Sequence, residues 1–318
     1  IKTSIPDSMK QGLNSQGFLY MFKKAKPLDF SNNIEPNSYY QYYDKTARGQ
    51  FEHNQLLQDE FSGLKDKYRG VFEKQFGKNY NEKDLLSYAK QKEGFSNNYT
   101  APLEGSYDKV TKDFMKSHNT RPIENVNQVN ALNDYTSGSY KGFNNTELIS
   151  DANIKKFDIE DGSIIKSHNK KFYKDFMNPL LQESIMQNKL QQSTNLYRGI
   201  APETSFKSVW RNGELLPENS VKYKDLMVGD EYLNEGFTSA SLHQVPGFGQ
   251  YLQGSKIIAP KGQSYAFPNA QRVRYNPAEL ETVLPQNLRF KVEKRLTPDE
   301  ALKNKYLFEK SIVNPYQQ

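Results

Sequence analysis

The hydrophobic pattern of this 318-residue chain changes once, near residue 192. Before that point apolar residues recur at steps of three and four with charged residues between them, which is typical of amphipathic helices. After it, short runs of β-branched and aromatic residues alternate with Gly, Pro and Asn, which is typical of strands joined by turns. Helices followed by strands predict an α+β fold rather than a doubly wound sheet.

The pattern also predicts where the elements lie. The predicted helices are residues 51–76, 82–91, 126–149 and 172–192. The predicted strands are residues 196–200, 236–242, 256–259, 264–267, 279–284 and 289–293. A stretch rich in Asn, Ser, Gly and Pro at residues 94–105 indicates a connection. We therefore predict two regions, a helical N-terminal region at residues 1–110 and a second region at residues 111–318.

Composition excludes several kinds of site. The chain has no cysteine, which excludes disulfides, thiolate catalysis and Cys-ligated zinc. Its four histidines are scattered without ligand spacing, so we predict no metal. No apolar run approaches the ~18 residues of a membrane span. The net charge of +6 comes from interspersed acidic and basic residues without a basic block, so we predict no nucleic-acid partner.

Two glutamates, Glu279 and Glu281, follow a turn and precede an alternating run of Val and Leu. On a strand, side chains two residues apart face the same side at a separation of roughly 7 Å. Two carboxylates in one cleft can divide their labour, one stabilising a developing sugar cation while the other handles a nucleophile. A pair of solvated glutamates is the alternative, and other residues must decide between the two.

Three short elements follow one another in the strand-rich half. They are Tyr197-Arg198-Gly199, then Gly-Phe-Thr-Ser-Ala-Ser at residues 236–241, then Glu279-Leu-Glu281. Their order resembles the Arg, Ser-Thr-Ser and Glu-x-Glu signature of the bacterial toxin mono-ADP-ribosyltransferases, the C3-like and actin-modifying binary-toxin group. The segment from Tyr135 to Asn144 and the tail at residues 281–285 are also similar to that family.

The likeness covers about residues 123–318, and this sequence departs from the family pattern at two places. Ala240 occupies the middle position of the Ser-Thr-Ser motif. Tyr275 lies one position before the place of the family's aromatic residue, which Asn276 occupies here. The first departure lies within the Ser-Thr-Ser motif, and the second lies in the turn before the Glu-x-Glu motif.

The resemblance implies an ADP-ribosyltransferase fold at residues 111–318, with two packed, mainly antiparallel sheets and flanking helices around an NAD cleft. NAD is then consumed as a substrate, which agrees with the lack of a Gly-x-Gly-x-x-Gly fingerprint. Residues 1–110 are implied to serve delivery or to bind a translocation partner, and two alternatives stay open, namely that they inhibit the site or help to hold NAD.

The resemblance also implies roles for single residues. Arg198 would hold the NAD pyrophosphate, and Ser239 would orient Glu281. Glu281 would bind the ribose 2′-hydroxyl and stabilise the oxocarbenium ion. Glu279 would orient the nucleophile of the target, and a glutamate here goes with arginine as the acceptor. Further residues are assigned to NAD binding, namely Tyr197, Gly199, Ser241, Tyr135 and Tyr140, and Tyr275 is assigned with Glu279 to target recognition.

The function implied by the resemblance is a secreted or injected toxin that acts in the host cytosol. It would transfer ADP-ribose to an arginine of a host protein, with actin as the first candidate and NAD glycohydrolysis as a side activity. Two alternatives stay open. The first is a phage-encoded ADP-ribosyltransferase that modifies bacterial proteins, and the second is a non-catalytic binding domain of the same fold.

Overall fold

The helices and strands follow each other in the order that the sequence predicts. The structure is a computed structural model that describes residues 26–34, 63–94, 106–136, 140, 142–144, 169–244, 254–271, 279–304 and 306–314. Within these ranges helices dominate before residue 187 and strands after it. The predicted α+β class is confirmed.

In the described part of the chain, five α-helices precede the main sheet, and a sixth lies between its last two strands. They are α1 (residues 63–76), α2 (Glu82–Glu93), α3 (Ser106–His118), α4 (Val126–Asp134), α5 and α6 (Pro298–Asn304). Helix α5 is α-helical over Lys170–Phe172, π-helical over Tyr173–Met177 and α-helical again over Asn178–Met186. Residues 140 and 142–144 are also helical.

The predicted helices agree with this arrangement only in part: α6 is not among them, and the helix predicted at residues 172–192 ends at Met186, before a short strand at Asn188–Lys189. The segment predicted at residues 126–149 contains α4, which ends at Asp134. Helix α3 is not among the predicted helices either; it follows the predicted connection at residues 94–105, of which only Gly94 lies within the described residues. Tyr107, Val110 and Phe114 follow the three- and four-residue spacing of an amphipathic helix, a signal that the prediction missed, and their packing into the core stabilises α3. Residues 51–62 of the first predicted helix lie outside the described residues.

Local signals define helix α2. The Asn81 side chain accepts a hydrogen bond from the Asp84 amide, and the Asp84 carboxylate accepts one from the Asn81 amide, which forms a capping box. The helix ends at Gly94 with a φ of 61°, a left-handed conformation that suits glycine. Buried Asp84 also accepts from the Asn169 amide at 2.9 Å and from the Tyr173 hydroxyl at 3.1 Å. This carboxylate therefore ties α2 to the start of α5.

Eleven strands form the two sheets of the described residues. They are β1 (Asn188–Lys189), β2 (Thr194–Gly199), β3 (Val209–Arg211), β4 (Glu214–Leu215), β5 (Glu231–Asn234), β6 (Thr238–Ser241), β7 (Gly254–Ala259), β8 (Ser264–Tyr265), β9 (Glu281–Leu284), β10 (Leu288–Arg295) and β11 (Phe308–Ile312). The main sheet has the order β4-β3-β5-β10-β11-β7-β2-β6-β9, and β1 pairs with β8. Only β11 and β7 are parallel among these pairs, so the sheets are mainly antiparallel.

The main sheet narrows between β2 and β6. These two strands share one register pair, Tyr197 with Ser241, whereas β2 and β7 pair along six positions. Beyond this junction β6 and β9 pair with each other as a two-stranded ribbon. An isolated β-bridge between Ala266, the residue after β8, and Val283 of β9 connects this ribbon to the β8 segment. The expected pair of sheets is therefore present as two parts joined at one register pair, and Arg198 and Ser239 lie beside it.

Aromatic side chains supply much of the core. One cluster joins α3 to the main sheet, and a second joins the helices to the β6–β9 ribbon. The second cluster contains Phe72 and Tyr88 from before residue 110, and Phe237 and Val283 from after it. Helices on both sides of residue 110 thus share one core. The division at residue 110 and the role of residues 1–110 stay predictions.

A short N-terminal segment, residues 26–34, lies beside β2. The Leu28 amide donates to the Ser193 carbonyl, and the Leu28 carbonyl accepts from the Asn195 amide, both at 2.8 Å. The Asp29 carboxylate accepts from the Tyr197 hydroxyl at 2.7 Å and from the Asn195 amide group at 3.0 Å. These contacts hold the strand that carries Arg198. Among the described residues, no helix combines the length and the apolar character that crossing a bilayer requires.

His118 is a buried histidine at the end of α3. Its Nδ1 accepts a hydrogen bond from the Gln191 amide at 3.1 Å, and its Nε2 lies 3.1 Å from the Thr194 hydroxyl oxygen. Burial lowers the pKa of this imidazole to about 4. The folded protein therefore keeps His118 neutral at pH values where the unfolded chain binds a proton.

We predict that protonation of His118 in the unfolded state weakens the fold in mild acid. Because the folded pKa lies below the unfolded value, this contribution to stability is present above pH ~6.5 and is lost as the pH falls toward 4. Between pH 7 and pH 5 the free energy of unfolding should drop by about 2 kcal/mol through this group. Urea unfolding at both pH values should show a smaller drop in His118→Gln, and an equal drop in both proteins would contradict the prediction.

Candidate active site

Three strands bring the predicted site residues together at the sheet junction. Arg198 lies on β2, Ser239 on β6, and Glu281 is the first residue of β9. In the β6–β9 register Ser239 pairs with Val283 and Ser241 pairs with Glu281. Paired residues lie on the same face of a sheet, and so do residues two apart on one strand. Because Ser239 pairs with Val283, and Glu281 is two residues before Val283, Ser239 and Glu281 lie on the same side of the β6–β9 ribbon.

Glu281 is held by Ser239 in a buried position. The Ser239 hydroxyl donates a hydrogen bond to Oε1 of Glu281. Glu281 itself is only 8% exposed. The Arg198 guanidinium donates through Nη1 to the Ser239 carbonyl at 2.9 Å. Ser239 therefore contacts Glu281 through its side chain and Arg198 through its backbone.

The environment of Glu281 favours a protonated carboxyl group. Burial, followed by the negative charge of Glu279, raises the pKa of Glu281 to about 8. The Ser239 hydrogen bond and the positive charge of Arg198 act in the opposite direction. A positive charge arriving beside Glu281 would therefore favour its ionised form.

The predicted strand geometry of the two glutamates is wrong. Strand β9 begins at Glu281, and Glu279 lies in a short helical turn before it. Between them Leu280 has a φ of 45°, so the backbone turns and the two carboxylates do not project from one strand face. The other non-glycine residues with positive φ in the described part of the chain are all asparagines. Leu280 is thus an unusually strained position for a bulky side chain.

Strand β6 holds this turn in place. The Ser241 hydroxyl donates to the Glu279 carbonyl at 2.6 Å and accepts from the His243 amide at 2.8 Å. The Leu242 amide donates to the Leu280 carbonyl at 3.1 Å. Ser241 therefore fixes the backbone between the two glutamates, and its predicted contact with NAD stays a prediction.

Ala240, where the family pattern has a hydroxyl-bearing residue, points into the core. Its side chain is buried in the cluster that joins α3 to the main sheet. A hydroxyl group at this apolar position would need its own hydrogen-bond partner. The departure from the family motif therefore suits the packing of this chain.

Two side chains from the helical region hold the backbone just before β6. The Tyr135 hydroxyl donates to the Phe237 carbonyl at 3.3 Å, and the Asn144 side-chain oxygen accepts from the Phe237 amide at 2.8 Å. A Cβ at Gly236 would lie 2.8 Å from that oxygen of Asn144, so the close approach requires glycine. Sequence analysis missed this clamp, although Gly236 before the serine motif was a signal for it.

The other predicted NAD-binding residues occupy varied positions. Tyr135 is only 2% exposed, so its predicted contact with NAD stays a prediction. Tyr140 is exposed, and Gly199 ends β2 opposite Gly254. Tyr197 is buried, and its hydroxyl bonds Asp29 rather than the site.

Two further predictions concern target recognition and metals. Tyr275 lies outside the described residues. Among the described residues, no three or more His, Cys, Asp or Glu side chains are grouped so that they could hold a metal ion. The metal-free mechanism stays a prediction.

Comparison with solved structures finds several similar chains. C3stau2 from S. aureus, solved with NAD, is 15% identical with a TM-score of 0.43, over 65% of this chain and 94% of that one. Plx2a, an ADP-ribosyltransferase toxin from Paenibacillus larvae, is 16% identical with a TM-score of 0.41, over 65% and 96%. The enzymatic component C2-I of the C2 toxin from Clostridium botulinum is 17% identical with a TM-score of 0.39, over 64% and 47%.

A comparison with functionally curated proteins finds no match. A family model described as ADP-ribosyltransferase exoenzyme matches residues 72–314. This range covers most of the chain and contains Arg198, Ser239, Glu279 and Glu281 in the predicted order. The chain belongs to the ADP-ribosyltransferase exoenzyme family.

Proposed function

We propose that this protein is a toxin that transfers ADP-ribose from NAD to an arginine of a host protein. Family membership supports ADP-ribosyl transfer. The single observation that carries the assignment of the site is the buried Glu281 carboxyl, which Ser239 holds beside Arg198. The site thus combines one oriented acid, Glu281, with one cation, Arg198, at the place where β2 meets β6 in the main sheet.

Arg198 suits the pyrophosphate of NAD. A guanidinium has five donors in a planar fork, and Arg198 gives one of them to the Ser239 carbonyl. The fork matches two oxygens of a phosphate group, and the bond to Ser239 orients it. In this proposal Arg198 positions NAD so that the nicotinamide ribose lies against Glu281.

Glu281 would stabilise the positive charge that develops during cleavage. The bond between nicotinamide nitrogen and ribose C1′ breaks, its electron pair leaves with neutral nicotinamide, and the ribose becomes an oxocarbenium ion. The charged nicotinamide ring of bound NAD offsets the burial of Glu281 and lowers its pKa, so the carboxylate forms when substrate arrives. That carboxylate would accept from the ribose 2′-hydroxyl and stabilise the cation.

Glu279 would act on the acceptor. The turn at Leu280 takes it out of strand β9, while its charge still raises the pKa of Glu281. A carboxylate pairs with a guanidinium through two hydrogen bonds, which supports arginine as the acceptor. Glu279 would orient this guanidinium and take the proton that its nitrogen loses on bonding to ribose C1′.

The resemblance to the actin-modifying binary-toxin group makes actin the first candidate target. In this proposal the protein is secreted or injected and acts in the host cytosol. The N-terminal region would bind a delivery partner. Water would replace the arginine in a slower side reaction, which is NAD glycohydrolysis.

We predict that the two glutamates separate the two reactions. Glu281→Gln should abolish both NAD hydrolysis and ADP-ribosyl transfer, since each reaction needs the cation. Glu279→Gln should spare hydrolysis and lower transfer at least ~100-fold, in the range for loss of a general base. Both rates can be measured with labelled NAD, in buffer alone and with eukaryotic lysate or purified actin.

The control is Glu218→Gln, which removes an exposed carboxylate away from the site and should change neither rate. Equal loss of both reactions in Glu279→Gln would contradict the division of roles. Labelling of a bacterial lysate alone would favour the phage-type alternative. No labelling and no hydrolysis by the unaltered protein would favour a non-catalytic domain.

We predict a pH profile governed by Glu281. Its pKa is raised to about 8 and the active form is ionised, so kcat/KM for NAD hydrolysis should rise with pH and level off above pH 8. Ser239→Ala removes a hydrogen bond that lowers this pKa, so its midpoint should shift to higher pH. The control Ser220→Ala, at an exposed turn, should keep the original midpoint. A flat profile between pH 6 and pH 9 would contradict the assignment.

A further inference from the structure

Leu280, the residue between the two glutamates, combines a left-handed backbone with a fully buried side chain. Its φ is 45°, in a region that glycine adopts freely and that a bulky side chain rarely adopts. Its side chain is 0% exposed and belongs to the core cluster that joins α3 to the main sheet. Backbone strain and deep burial thus occur in one residue, immediately before the strand that carries Glu281.

The other residues with positive φ in the described part of the chain show what this conformation usually requires. Besides glycines they are all exposed asparagines, namely Asn119, Asn212, Asn219 and Asn287. A turn alone would therefore be served by Asn or Gly, and the backbone gives no reason for leucine at position 280. The buried side chain gives the reason, because its burial in the core offsets the strain and anchors the turn.

Strand β6 and the core hold this turn together. The Ser241 hydroxyl donates to the Glu279 carbonyl at 2.6 Å, and the Leu242 amide donates to the Leu280 carbonyl at 3.1 Å. Leu242 is also fully buried in the cluster that contains Leu280. The turn is thus held from β6 through two carbonyls and from the core through the Leu280 side chain.

The two glutamates depend on this turn to different degrees. Glu281 lies in β9, where it pairs with Ser241 and accepts a hydrogen bond from Ser239. These contacts do not involve the Leu280 side chain. Glu279 is half-buried and lies before β9, on the other side of the turn. A shift at Leu280 therefore moves Glu279 relative to Glu281, which β6 keeps in place.

We propose that Leu280 is a positioning residue that sets the place of Glu279, and thereby the share of the ribosyl cation that reaches the acceptor rather than water. This inference rests on the proposed function, in which Glu281 serves cleavage and Glu279 serves the acceptor. In transfer, a guanidinium nitrogen bonds to ribose C1′ and its proton passes to Glu279. In hydrolysis, a water oxygen bonds to C1′ and its proton passes to solvent. Leu280 touches neither NAD nor the acceptor and acts through Glu279.

The test compares transfer with hydrolysis in Leu280→Gly, both measured with labelled NAD, in eukaryotic lysate and in buffer alone. Glycine accepts the backbone conformation but removes the anchor, so Glu279 loses its fixed position. Transfer should fall about tenfold or more, as expected for a misplaced catalytic group, whereas hydrolysis should change less than about twofold. Leu280→Ala, a second truncation, should shift the ratio in the same direction. Leu280→Met keeps an apolar side chain of similar volume and should keep the original ratio.

The matched control for lost packing is Val292→Ala in β10. Val292 is fully buried in the same core cluster as Leu280, and four strands separate β10 from β9 in the main sheet. This variant should lower the thermal unfolding temperature and leave the ratio of transfer to hydrolysis unchanged.

A double-mutant cycle shows whether Leu280 acts through Glu279. Glu279→Gln lowers transfer by itself in the proposed function. Adding Leu280→Gly to Glu279→Gln should lower transfer no further, because the carboxylate that Leu280 positions is already absent.

The outcomes separate this inference from the proposed function. Transfer that is unchanged in Leu280→Gly and Leu280→Ala, or that falls in both by the same factor as hydrolysis, would overturn the positioning role and leave the proposed function intact. A further loss of transfer on adding Leu280→Gly to Glu279→Gln would do the same. If the unaltered protein neither hydrolyses NAD nor labels the lysate, the proposed function fails and this inference fails with it.

Discussion

The hydrogen bond from Ser239 to Glu281 is the contact on which the candidate site depends. It joins β6 to β9 through side chains, beside the single register pair that connects β6 to β2. Through the Ser239 carbonyl the same residue also orients Arg198. One serine therefore sets the positions of the acid and the cation, and the packing around the junction serves to hold that serine.

Three features at this junction oppose the stability of the fold. Glu281 is a buried acid with a raised pKa, Leu280 has a left-handed backbone, and Lys310 is a buried amine. Each is unfavourable by itself, and their concentration in one place is typical of functional sites. The two aromatic core clusters, one on each side of the junction, stabilise the fold, offset these unfavourable contributions to stability and hold the junction in place.

Local sequence signals predicted the elements that carry the motifs. Strands β2, β6 and β9 follow turn residues and contain β-branched or aromatic residues, so their positions could be predicted. Strands β3 and β4 are too short to show a period. In β11 the sequence Phe-Glu-Lys-Ser-Ile places Lys310 among the inward positions, which hides the alternation of an amphipathic strand.

The errors at the site have a common physical cause. Side-chain burial and backbone turns depend on contacts between distant residues, which no local pattern contains. The turn at Leu280 exists because Ser241 and Leu242 hold the carbonyls before β9, and those residues are far away in the sequence. Tyr135 lies under β6 because its hydroxyl bonds the Phe237 carbonyl. The motifs predicted the residues of the candidate site, and only the tertiary structure shows in which directions their side chains point.

The most direct test of the central claim is a crystal structure of Glu281→Gln protein with NAD. We predict that the nicotinamide ribose lies against residue 281 and Ser239, with the pyrophosphate held by Arg198. A dinucleotide bound elsewhere on the protein, or bound with its nicotinamide ribose away from residue 281, would contradict the claim that Ser239 and Glu281 form the centre of the active site.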